Sequence, residues 1–273
     1  MVVGLIGTGQ EIHIGEEEGL DKWEKAIVSG SHKNQWDVYI PNKPDIRTCF
    51  NKVENVHQID HLELSATLRF KNATHLSTFV DSLLEGNSGK AKEISSELEM
   101  GGYHLRLTHD LEKAKKYLFD VYADNQDSRF GLVASSRDKD LQRYGVPNDY
   151  NSPKNLRKGQ YGRWYVAPKL EEGSCTRLDI VATEFATQGL ELDAVLLAWG
   201  TDLIRENDVW TNRFARNYSD PERIIDPMRL RKNAYRVLLT RGRDGCVVFV
   251  PPIKDKMRET YRYLRNCGFR ELV

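Results

Sequence analysis

The chain has 273 residues, enough for one large domain or two small ones with a sizeable core. Charged residues make up 29% and hydrophobic residues 40%, an ordinary soluble globular balance, and no apolar run approaches the length of a membrane span. Lys+Arg and Asp+Glu are both 40, so net charge speaks neither for nor against nucleic acid, and any nucleic-acid contact must come from a local basic patch.

The opening stretch MVVGLIGTGQEI is apolar but lacks a basic region, so it does not read as a signal peptide; broken by glycines, it predicts a buried central parallel strand ending in a loop. LDKWEKAIV has apolar residues at helical spacing, and WDVYIP is a short strand stopped by Pro41. LELSATLRF, residues 62–70, suits a strand or a strand-to-helix transition. THLSTFVDSLLEG predicts an amphipathic helix closed by Gly86, KAKEISSELEM a second helix, and YHLRLTHD a strand. DLEKAKKYLFDVYADN predicts a helix with Asp110 as N-cap, and FGLVASS a buried strand. From Arg137 to Glu172 the chain is polar and irregular and holds Pro147, Pro153 and Pro168, an excursion from the core. LDIVATEF and DAVLLAWG then predict buried strands joined by a glycine-containing turn. PMRLRKNAYRVLLTR predicts a helix, GCVVFVPP a strand and KDKMRETYRYLRNCG a closing helix. Apolar strands alternating with helices argue for a parallel α/β sheet. Trp23 and Trp199 are expected as core anchors.

Cys49, Cys175, Cys246 and Cys267 form no C-x-x-C pair, which points to reduced thiols of a cytoplasmic protein. His57 and His61, four apart, could share a helix face, but no third ligand is obvious nearby, so no metal is expected. A phosphate-binding loop needs G-x-x-x-x-G-K-[ST], in which backbone N–H groups cradle the phosphates and the hydroxyl holds magnesium. LEGNSGKAK has Gly89-Lys90, but Ala91 replaces the hydroxyl and Leu84 the first glycine; it reads as a flexible loop between helices. No apolar strand ends in an acidic pair for magnesium.

Three segments resemble superfamily-1 helicase motifs, in the right order. NAYRVLLTRGRDGCVVFVP is similar to the sixth motif, where a helix ends in a Thr-Arg-x-Arg turn before a strand; Arg241 matches the arginine finger and Arg243 is its neighbour. An arginine suits that task because it holds its charge while stabilising negative charge on phosphate. VATEFATQGLELDAVLLAWG resembles the fifth motif, with Gln188, Gly189 and Glu191 facing nucleotide and Thr183 where relatives touch nucleic-acid backbone. LIGTGQEIHIGEE resembles the third motif, whose glutamine, here Gln10, meets the γ-phosphate. LSATLR is a weaker likeness to the fourth, with Arg69 as its phosphate-seeking arginine. With GLVASSR, these pieces resemble the Schlafen group-3 DNA/RNA helicase domain family over nearly the whole chain. That resemblance implies a RecA-like parallel sheet flanked by helices, the second of two helicase domains. It implies ATP and Mg2+ bound mainly by a P-loop domain preceding the third motif, and DNA or RNA, single-stranded, as partner. Residues 1–45 are then a remnant of the first RecA-like domain with its linker, and 46–273 the second. Alone, the chain is expected not to hydrolyse ATP. Because ligands of open α/β sheets sit at strand carboxyl ends, Arg69, Gly189, Glu191 and Arg241 are expected to converge there.

NSPKNLRKGQYGRWYVAPK interleaves basic and aromatic residues, a composition that suits a single strand; Arg157, Lys158 and Trp164 are its candidates. The plainer alternative is a solvated loop with an aromatic or two on the core. Two rival functions remain open: a binding module for nucleic acid or protein without chemistry, and a nuclease, for which no acidic cluster with a nearby lysine is seen.

Overall fold

Strand runs apolar at every position are stable only with both faces covered, and FGLVA, AVLLA and GCVVF lie at or beside the centre of a sheet with helices on both sides. The computed structural model describes residues 1–4, 11–14, 19–32, 35–63, 73–218, 221–253 and 255–273. In chain order they form α1 (Asp21–Ser29), β1 (Asp37–Pro41), α2 (Pro44–Thr48), β2 (Asn55–Ile59), α3 (Ala73–Glu85), α4 (Ser88–Met100), β3 (His104–Thr108), α5 (Leu111–Val121) and β4 (Phe130–Ala134). There follow α6 (Tyr161–Val166), β5 (Val181–Ala182), α7 (Glu184–Thr187), β6 (Leu192–Ala198), β7 (Ile204–Glu206), β8 (Val209–Thr211), α8 (Pro227–Leu239), β9 (Gly242–Phe249), α9 (Arg258–Asn266) and β10 (Arg270–Glu271).

The main sheet is six-stranded, in the order β10-β3-β9-β6-β4-β5, with every pair parallel. Alternate residues feed two cores. Val133, Val195, Leu197, Cys246 and Val248 face Leu76, Phe79 and Leu83 of α3, Leu98 of α4, Tyr235 and Leu238 of α8 and Leu264 of α9. Leu132, Ala134, Ala194, Leu196, Val247 and Phe249 face Leu111, Ala114 and Leu118 of α5. That architecture is compatible with a RecA-like fold. A separate small unit pairs β1 with β2, also parallel, over Ile40, Phe50 and Val53, and residue 45 falls inside it. Among the described residues no helix is long and apolar enough to cross a membrane.

Several local readings hold. α3 ends at Gly86, whose φ of +92° suits a residue without Cβ. Asp110 caps α5, its carboxylate accepting from the amides of Glu112 (2.9 Å) and Lys113 (3.1 Å). Trp199 is fully buried and donates to Leu203 O at 2.7 Å.

Others need correction. Gly89 and Lys90 are not in a flexible loop. They form the first turn of α4, where the Asn87 side chain accepts from the Lys90 amide at 3.1 Å, so a good N-cap outweighed the glycine. His57 lies on β2 and His61 in a 3-10 turn, so they share no helix face. LDIVATEF is a strand only at Val181–Ala182, because Thr183 is the N-cap of α7. Trp23 is 42% exposed rather than a core anchor. Met1–Gly4 are exposed and not in a strand, while Leu5–Gln10 lie outside the described residues. Most of LELSATLRF, from Leu64 to Phe70, lies outside them too.

Candidate functional site

In a parallel sheet the residues just before the strands share one edge, and those just after share the other. Glu191 precedes β6 and Arg241 precedes β9; these strands pair with Leu192 opposite Gly242, and the Leu192 amide donates to Arg241 O at 2.8 Å. The fifth-motif and sixth-motif segments therefore meet, at the amino edge of the sheet and not at the carboxyl edge. The reason is topological: α7 and α8 are crossovers that carry each segment back to the start of its next strand.

At this edge Gln188 and Gly189 are exposed and Glu191 is half-buried. Gly189 has φ +86° with open space where a Cβ would stand, so the turn itself requires glycine. Tyr165 donates to Glu191 O at 2.9 Å. Arg243 is half-exposed and paired with Asp193. Arg241 differs from its expected placement in a cleft: it is 1% exposed. Its guanidinium donates to Val237 O (2.8 Å), Thr240 Oγ1 (3.0 Å), Leu190 O (3.2 Å) and Thr187 O (3.4 Å). In this conformation it binds the 187–190 loop to the end of α8. Gln10 and Arg69 lie outside the described residues. Next to Gln10, Glu11 and Ile12 are placed, with Ile12 packed on Ala234 and Val237 and Asn233 donating to Glu11 O at 3.0 Å. Glu11 and Ile12 thus dock on α8.

The carboxyl edge collects the nucleic-acid candidates. Thr183 follows β5 directly. Asn155 forms a parallel bridge with Val181, and beyond it the chain runs on to the exposed Arg157 and Lys158. Arg157 donates to the carbonyl of Tyr150, and its guanidinium lies 5.8 Å from that residue's ring, which is 78% exposed. After β4, Arg137 lies 4.1 Å over the ring of Tyr218 and donates to Asn217 O at 3.2 Å. Trp164 does not belong with them. It is 1% exposed and fills the notch left by Gly131, where an added Cβ would stand 2.8 Å from its ring. A base stacks on an open ring face, so Trp164 is corrected to a core residue. Tyr150, Arg137 and Tyr218 were missed: each sits outside the quoted basic-aromatic run, and only folding joins them.

Below this edge lies a buried polar layer. Arg231 of α8 donates to Asp202 at 2.9 Å and reaches Glu184 at 3.5 Å. Burial alone would lower the Arg231 pKa, but Glu184 and Asp202 reverse this and raise it. Asp138 accepts from the Thr201 amide at 2.6 Å and the Leu141 amide at 2.7 Å. Burial, then the nearby Asp202 charge, pushes its carboxyl up to about 6. Among the described residues no group of three His, Cys, Asp or Glu could hold a metal.

A six-stranded parallel sheet flanked by helices places the chain among α/β domains compatible with the RecA-like class. The family model described as Schlafen group 3, DNA/RNA helicase domain, matches residues 1–252, and the chain belongs to that family. No curated protein matches the chain.

Proposed function

We propose that this chain is the second RecA-like half of a superfamily-1-type nucleic-acid-dependent ATPase, working with ATP and Mg2+ held mainly by a P-loop domain outside this sequence. The observation that carries the reading is the course of residues 183–191. They run from the carboxyl edge, which Thr183 shares with Arg157, Lys158 and Arg137, to the amino edge, where Gly189 and Glu191 adjoin Arg241. One short segment thereby touches both candidate ligands.

At the amino edge, Gln188, Gly189 and Glu191 offer exposed or half-exposed groups to a nucleotide, and Gly189 leaves space beside it. Arg241 is the finger: domain closure exchanges its carbonyl partners for phosphate oxygens, which bind a guanidinium more strongly. Gln10 and Arg69 complete the phosphate contacts. At the carboxyl edge, basic side chains take phosphates and Tyr150 and Tyr218 take bases of a single strand of DNA or RNA. The setting is cytoplasmic, with residues 1–45 belonging to the first domain and its linker.

The purified chain, lacking a phosphate loop, is expected to release no phosphate from ATP; magnesium-dependent release lost in Arg241→Ala would overturn this. Fluorescence anisotropy with labelled oligo-dT and oligo-U tests the carboxyl edge. Affinity should fall with salt, and Arg157→Ala and Lys158→Ala should each flatten the log–log slope by about 0.7. No binding at low salt would remove the nucleic-acid assignment.

One observation favours a second reading, a non-catalytic binding module: Arg241 is closed on main-chain carbonyls. Turnover of the intact protein separates the two, because a module has none for Arg241→Ala to abolish.

A further inference from the structure

α8 holds the 183–191 segment at both ends. Near its start, Arg231 pairs with Glu184, the first residue of α7, and with Asp202 beyond β6. The Glu184 carboxylate in turn accepts from the amide (2.9 Å) and hydroxyl (2.8 Å) of Ser136, and Ser135 donates to Asp202. Just past the other end of α8, Arg241 holds the carbonyls of Thr187 and Leu190. Eight residue steps of helix, roughly 12 Å of axis, separate Arg231 from Leu239.

Burying Arg231 with two carboxylates is a poor way to gain stability, since apolar residues of like volume often serve as well. The Arg231 Nε has no hydrogen-bond partner among the described residues, a further cost. What the arrangement supplies is direction: a planar fork that fixes Glu184 against the ends of β4 and β6.

We infer that Arg231 is a positioning residue that, with Arg241, makes α8 a two-ended clamp, so that a displacement of the nucleic-acid edge at Ser136–Thr183 is passed to the nucleotide edge at Gln188–Glu191. The two ligand names rest on the reading proposed above; the mechanical link between the edges does not.

Amide hydrogen exchange on this chain, without ligand, tests the link. Glu184→Gln keeps an acceptor for Ser136 and loses the charge that meets Arg231. The amides of Gln188, Leu190 and Leu192 are bonded to Glu184 O, Thr187 O and Arg241 O. They should exchange roughly two- to thirtyfold faster, with α5 unchanged. Arg231→Lys, which keeps the charge but not the fork, should do the same and serves if Glu184→Gln fails to fold. Faster exchange confined to 135–137 and 184–187, or spread evenly over the chain, would overturn the clamp. Oligo-dT or oligo-U added to the wild type should protect Leu190 as well as Ser136, and in Glu184→Gln only Ser136. Protection of Ser136 alone in the wild type would also overturn it. Failure of both oligonucleotides to bind would count against the proposed function, while the ligand-free exchange still decides the clamp.

Discussion

Arg241→Ala should cost this chain about 3 kcal/mol of stability before any question of catalysis arises. The side chain is buried and donates to four acceptors among the described residues. Two of those acceptors keep other partners: Val237 O receives the Thr240 hydroxyl at 3.2 Å, and Thr187 O receives the Leu190 amide at 3.0 Å. Leu190 O is served by Arg241 alone among the described contacts. Leaving this partly buried carbonyl unpaired costs about 1–3 kcal/mol, and the remaining charged hydrogen bonds add to that. At about 2–4 °C per kcal/mol for a chain of this size, the melting temperature should drop by roughly 6–12 °C. Thermal melting by circular dichroism, checked by urea unfolding, reads this directly. A variant melting within 1 °C of wild type would show that the guanidinium is not held inside, and the strut assigned to it here would be wrong. In the intact protein the same substitution should leave ATP binding largely in place and slow single-turnover hydrolysis by on the order of 10³–10⁵. Arg241→Lys should not restore the rate, because an ammonium lacks the fork. Turnover at the wild-type rate would refute the finger while leaving the strut intact.

Two further outcomes follow from the same geometry. The Asp138 carboxyl titrates at about 6, above its ordinary value, so the folded chain binds more protons than the unfolded one between about pH 4 and 6. Its contribution therefore makes stability fall as pH rises through that window and level off above it. Urea unfolding at a series of pH values should show this fall in the wild type and lose it in Asp138→Asn, whatever that variant costs in absolute terms; an unchanged slope would remove the assignment. At Gly189 a Cβ meets nothing, so Gly189→Ala should cost only the left-handed backbone penalty, about 1–2 kcal/mol, and Gly189→Asn less, both by urea unfolding. Equal stability of all three would mean the loop adopts another φ.

The sequence was most legible where one residue property decides the outcome. Phe130–Ala134 and Ala194–Ala198 are apolar throughout, and such runs pair inside a covered sheet. Asp110 and Gly86 mark helix ends by local chemistry alone. Motif order brought Glu191 and Arg241 together, because both immediately precede neighbouring strands. The edge they occupy was misjudged, since it depends on which way each crossover returns. Trp164 read as a base platform because its neighbours are basic, yet its destination was set by Gly131, more than thirty residues away. The β7–β8 hairpin passed unnoticed although Asn207 and Asp208, both at positive φ, form its turn. Arg231 was hidden in a charged run, LRKNAYR, where nothing local separates a buried arginine from a solvated one.

The outer strands of the main sheet are each two residues long. An unpaired strand edge is a template on which another chain can add, and a long open one invites aggregation. Here β5 is further overlain by the Asn155 bridge, and β10 spans only Arg270–Glu271, both exposed and charged. Neither side offers a ladder long enough to recruit a strand, so this sheet is finished without closing into a barrel. The five-residue β1 and β2 form a pair only two strands wide, with outward edges unpaired among the described residues. If the domain grows by strand addition at all, it grows there.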